Sequence, residues 1–155
     1  MKKFFFDCGT RDATASLGLL FLRVSIGLLM LIGHGIGKIQ NFSSMTDSFP
    51  VPSFFPLSLM SNFFSLCATI GAEVGCAVLI IAGLATRPAA FTLAFVMVVA
   101  AFDINGAGTW FVAGGIGPKE GGMLYLIPAV AILLSGAGAY SADAELYQET
   151  RRKRW

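Results

Sequence analysis

Four apolar stretches divide this chain, each close to the roughly 20 residues that a helix needs to cross a hydrocarbon core of about 30 Å. They read LGLLFLRVSIGLLMLIGHGIG (17–37), FFSLCATIGAEVGCAVLIIAGL (63–84), PAAFTLAFVMVVAAFDI (88–104) and GGMLYLIPAVAILLSGAGA (121–139). A backbone in hydrocarbon must satisfy its own hydrogen bonds, so segments of this length and polarity can only be helices. Only 13% of the 155 residues are charged and 55% are hydrophobic, against about 25% charged in soluble domains. The expected fold is all-α: an integral membrane four-helix bundle over 17–139, with a cytoplasmic N-terminal segment at 1–16 and a basic cytoplasmic tail at 140–155. Its first partner is the lipid bilayer.

The placement of cations sets the expected orientation. If four helices alternate, Lys2, Lys3, Arg11, Arg87, Arg151, Arg152, Lys153 and Arg154 share one side, and Lys38 and Lys119 share the other. The positive-inside rule then puts both termini in the cytoplasm. The first residues, KKFFFDCGTRDATAS, lead into a span too long for a cleavable signal, so this is read as the mature start, with Phe4 to Phe6 at the interface. A net charge of +2 gives no reason to expect a nucleic-acid partner. Cys8, Cys67 and Cys76 form no metal-binding spacing, and Cys67 and Cys76, nine apart, fall on opposite helix faces, so neither a metal site nor a dithiol is expected. Pro88 suits the first turn of the third helix, whereas Pro128 predicts a kink in the fourth.

Polar residues inside the oil are the candidate site. Arg23, Gly27, Met30, His34 and Lys38 lie within about 80° of one another on a regular helical wheel, a stripe that should face protein. Glu73 is the ionisable group of the second helix, flanked by Gly71 and Gly75, small residues four apart that would let another helix approach closely. At ~1.5 Å per residue, Glu73 lies roughly 16 Å from the cytoplasmic end, Arg23 about 9 Å and His34 about 25 Å. Pairing of Arg23 with Glu73 is therefore expected, with His34 in reach of the same carboxylate. Glu73 and His34 are the candidates for proton transfer; His34, Lys38, Arg23 and Asp103 are the candidates for binding a substrate or quinone. Lys38 can also snorkel to the outer interface. Asp103 ends the third helix where the dipole disfavours an anion, so Lys38 or Lys119 is its expected partner. Arg87 should anchor the turn between the second and third helices, and Glu120 suits the start of the fourth. The outward loops, one carrying FPVPSFFP and the other NGAGTWFVAGGIGPKEGG, are apolar enough to lid a cavity, with Trp110 and Phe111 as interfacial anchors.

Taken in order, LRVSIGLLMLIGHGIGK, a mid-helix Glu, GLATRPAA and a closing LYLIPAVAILLSGAGAYSAD resemble the DoxX family of small four-helix bacterial membrane proteins. Arg23, His34, Gly35, Lys38, Glu73, Gly83, Thr86, Arg87, Gly136, Gly138 and Asp143 occupy matching positions. The tail reads YSAD where the family more often has SLD. The resemblance implies a multi-pass protein of the bacterial plasma (inner) membrane. It also implies kinship with subunits of a quinone-linked thiosulfate oxidoreductase, or with proteins that associate with redox enzymes, whose partners are soluble or membrane-bound. The chain has no haem, flavin or cluster signature, so electrons would be carried by a quinone or another subunit. Three readings follow: an oxidoreductase subunit or accessory with a quinone-binding outer cavity, a structural or assembly subunit without catalysis, and a small proton-coupled transporter. The last would need to form a homo-oligomer.

Overall fold

The computed structural model describes residues 9, 10 and 12–146. Phe4 to Phe6, Cys8 and seven of the cations behind the expected orientation (Lys2, Lys3, Arg11, Arg151, Arg152, Lys153 and Arg154) lie outside the described residues.

Each apolar stretch forms a helix: α1 is Ala13–Gln40, α2 is Asn62–Ala82, α3 is Thr86–Ile104 and α4 is Pro118–Ser135. No strand occurs among the described residues; a single bridge joins Val112 and Gly115 in the loop before α4. Asp12 caps α1, its side chain accepting from the Ala15 N–H at 2.8 Å, and Ser61 caps α2 through the Phe64 N–H at 3.4 Å. Both satisfy donors that a helix start leaves unpaired. α2 stops at Gly83, whose φ of 69° is left-handed. The Leu84 N–H then folds back to the Leu79 carbonyl at 3.0 Å, the geometry of a Schellman ending. α4 continues through Pro128 without a break.

α1 packs on α2, α2 on α3 and α3 on α4, and α4 returns to α1. Ile26, Met30, Ala77, Ile80, Leu93 and Ile132 form the centre of the core. Polarity runs opposite to that of a water-soluble domain. Phe21, Ile32, Ile127 and Leu134 are more than 60% exposed, whereas Arg23 is fully buried and Glu73 nearly so. α1, α2 and α3 are long and apolar enough to cross a membrane. α4 has 18 residues, and its opening Pro-Lys-Glu-Gly-Gly lowers its mean hydropathy.

The expected close approach at Gly71 and Gly75 is not where the helices meet. A Cβ added at either would touch nothing within 4 Å, because α2 turns Ala72, Glu73, Cys76 and Ala77 inward and leaves the two glycines exposed. Close approach occurs instead at Gly27, where a Cβ would sit 3.1 Å from the Ala77 carbonyl oxygen, and at Gly35 and Gly122, where it would sit 2.7 Å from Val74 and 2.8 Å from Ala101.

α1, α2 and α3 each contain a π-helical turn: Leu31–Gly35, Gly71–Gly75 and Val99–Ile104. Such a turn holds one extra residue, re-aims the side chains beyond it and recurs at functional sites. Here the three turns carry His34, Glu73 and Asp103.

Candidate functional site

The turn in α1 divides the stripe read from a regular wheel. Below it Arg23, Gly27 and Met30 are buried. At and beyond it His34 is exposed and turned to α4, while Lys38 is turned to α2. The Lys38 ammonium makes an ion pair with Glu73 Oε2, with side chains 18% and 6% exposed. Lys38 is thus the cation that neutralises Glu73, and it does not simply snorkel to the interface. Arg23 is engaged elsewhere. Its Nη1 donates to the carbonyls of Ile80 at 3.0 Å and Ile81 at 3.4 Å, and its Nη2 donates to that of Tyr140 at 2.7 Å. Ile80 lies seven residues beyond Glu73, about 10 Å further along α2. The expected pairing of Arg23 with Glu73 is therefore corrected: the carbonyls at the C-terminal end of α2, of which that of Ile80 also accepts the Gly83 N–H at 3.2 Å, offer the guanidinium a closer partner, with the helix dipole in its favour.

At the same end, Asp143 is buried and accepts from the Ala85 N–H at 2.8 Å and the Thr86 N–H at 2.9 Å. It caps α3 from across the bundle. Its own N–H donates to the Gly83 carbonyl at 2.8 Å. Ser16 adds a bond from the Ala139 N–H at 3.1 Å. Arg87, in the first turn of α3, is buried beside this turn. Arg23 and Asp143 thereby bind the α2–α3 connection to the segment after α4.

Two cavities meet at the Lys38–Glu73 pair. One, of about 160 Å³, lies between α2 and α3 under Phe49, Pro50 and Pro52. The other, of about 360 Å³, runs from the pair to His34, Met30, Asn105, Gly117 and Tyr125. Both are lined by Lys38, Glu73 and Ala100, so the ion pair forms part of their common wall. Each cavity is bordered by a different loop. The Pro-rich one is tied down by Ser65 Oγ donating to the Pro50 carbonyl at 2.7 Å and by Asn62 Nδ2 donating to that of Phe49 at 2.8 Å. Asp103 completes the fastening, accepting the Ser53 N–H at 2.7 Å and the Ser53 hydroxyl. Asp103 thus takes its donors from the loop rather than from Lys38 or Lys119, because the loop folds directly over the end of α3. Lys119 lies over the Trp110 ring, 5.5 Å from its centroid. Glu120 accepts from the Gly117 N–H at 3.2 Å at the start of α4.

The DoxX family model matches residues 18–106, which include α3 and nearly all of α1, the whole of α2, and both members of the ion pair. The chain belongs to the DoxX family. With three helices able to span, this DoxX protein is a multi-pass membrane protein. α4 and the Asp143 latch follow the matched segment. No curated protein and no solved structure matches the chain.

Two participants were not singled out in the sequence. Tyr125 stands edge-on to His34, ring centroids 5.1 Å apart, with its hydroxyl 3.5 Å from the Leu29 carbonyl. Asn105 donates through its side chain to the Ala100 carbonyl at 2.8 Å, beside the cavity. A tyrosine among apolar residues looks like an interfacial anchor, so it carries no signal of its own. The π-turns do leave one: glycines flank the polar residue in GHG and in GAEVG.

Proposed function

We propose that this DoxX protein is a four-span subunit of, or accessory to, a quinone-linked redox system in the bacterial plasma membrane, with both termini cytoplasmic. The observation that carries this reading is the Lys38–Glu73 pair, enclosed among apolar helices and lining two cavities at once. A quinone head needs hydrogen-bond donors for its carbonyl oxygens, a proton source, and an apolar slot for its ring. Lys38 and His34 are the donors, Met30 and Met97 line the slot, and Glu73 passes the proton. Reduction of quinone to quinol takes two electrons and two protons. The electrons come from a redox partner, soluble or membrane-bound, and Glu73 hands on protons taken from the loop side. Arg23 and Asp103 act from outside the cavity, the first by holding the α2–α3 turn and the second by holding the Pro-rich roof. A fourth span is supported by the apolar outer face of α4, where Leu124, Ile127 and Leu134 are exposed.

Trp110 and Trp155 are the two indoles of the chain, and the Trp110 backbone packs against the cavity-lining Gly117. In a Trp155→Phe background, a soluble short-chain benzoquinone should quench Trp110 saturably. Lys38→Ala and Glu73→Gln should weaken that binding at least tenfold; quenching equal in all three proteins would end the quinone reading. The placement of one ion pair between two cavities also suits a proton-coupled transporter with Glu73 as the coupling carboxylate. Proton-driven uptake into vesicles, with no quinone binding, would select that reading.

A further inference from the structure

α1 and α4 meet along a seam, and near its cavity end lies the edge-on contact of His34 with Tyr125. His34 lies six residues before Gln40 and Tyr125 seven after Pro118, so each is roughly 9–10 Å in from the end of its helix at ~1.5 Å per residue. A 28-residue α1, about 42 Å long, overhangs a hydrocarbon core of about 30 Å, so in the four-span arrangement that depth is where acyl chains begin. Yet His34 is exposed, as are Ile32, Gly33 and Ile36 around it. Among the described residues no hydrogen bond reaches its imidazole. An unpaired polar ring facing hydrocarbon costs free energy unless a polar group lies beside it. The seam is also thin: a Cβ on Gly33 would meet only the Tyr125 hydroxyl, at 3.7 Å. Behind it, the same two rings line the 360 Å³ cavity that reaches Lys38 and Glu73. That volume is near the lower limit of ligand pockets, which run about 300–1,000 Å³. It suits a ring-sized head and leaves no room for a long tail.

We infer that the α1–α4 seam is a lateral portal through which a lipid-dissolved amphiphile enters the cavity, its polar head passing His34 while its apolar tail stays between the helices and the bilayer. This rests on the quinone reading for the head group and adds the route and the tail. His34 is a positioning residue here, meeting the head before Lys38 and Glu73 do.

The test compares two probes on the Trp155→Phe protein in phosphatidylcholine nanodiscs: a polyprenyl-tailed benzoquinone and the same dimethoxy-methyl-benzoquinone head without a tail. Gly33→Phe fills the seam and should weaken or slow binding of the tailed probe at least tenfold while leaving the tail-less one, which enters from water past the loops, within twofold. Gly18→Phe, at the other end of α1, where an added Cβ meets nothing within 4 Å, should change neither. Equal loss of both probes in Gly33→Phe, or loss of neither, overturns the portal. Failure of unsubstituted protein to bind either probe sinks the quinone reading and the portal with it. A measurement that needs no seam variant uses a tailed probe with a diazirine on the tail. Crosslinks at Ile32, Ile36 or Leu124 support the portal, and crosslinks confined to α2 or α3 overturn it.

Discussion

Glu73 is the residue on which the site depends, and its partner decides how the protein responds to substitution. Removing one member of a buried ion pair strands the other, at a cost of about 3–5 kcal/mol, whereas replacing both relieves most of that penalty. Lys38→Met and Glu73→Gln should each destabilise the protein, and the double variant should be less destabilised than the two effects added together. Arg23→Met should combine additively with Glu73→Gln, because Arg23 serves the carbonyls of Ile80, Ile81 and Tyr140 and shares no bond with Glu73. Unfolding in mixed micelles measures all of these. Coupling of Glu73 to Arg23 with none to Lys38 would contradict the geometry described above.

At the scale of elements, the helices approach where one lacks a side chain and the other presents backbone. Gly27 is such a point: a Cβ there would press on Ile81 and lie 3.1 Å from the Ala77 oxygen. Gly27→Ala should therefore cost about 1–3 kcal/mol through overpacking of α1 on α2. Gly71→Ala meets open space and should be neutral, or stabilising by up to about 1 kcal/mol from improved helix propensity. The same unfolding measurement separates them, and a larger loss at Gly71 would return the close contact to the GAEVG face. The π-turns belong to this scale too. The one in α1 re-aims the helix beyond residue 35, so that Lys38 meets α2 while His34, within the turn, meets α4.

Across the whole molecule, the outer surface is apolar and the two ends differ in kind. One end is a latch built from Ser16, Arg23 and Asp143; the other holds the ion pair, both cavities and their loops. If α4 crosses the membrane with α1 to α3, the orientation proposed above puts the latch at the cytoplasmic face and the cavity end outside. In a background without the native cysteines, a membrane-impermeant maleimide should label Ser44→Cys in intact cells and reach Glu145→Cys only after lysis. The opposite pattern would invert the topology, and labelling of both in intact cells would remove α4 from the membrane.

The all-helical, membrane-spanning character of the chain was legible in its sequence because it is set locally. Runs such as 17–37 and 63–84 have the length and apolarity that hydrocarbon demands, and no distant contact can offset a backbone left unpaired there. The partner of Glu73 was not legible. A wheel drawn at 100° per residue places Arg23, His34 and Lys38 on one stripe, and counting rises gives depth but neither the rotation nor the offset of two packed helices. Those were decided in three dimensions. One extra residue in each of three turns re-aimed the side chains, the carbonyls at the end of α2 claimed Arg23, and Glu73 was left to Lys38 at the junction of two cavities.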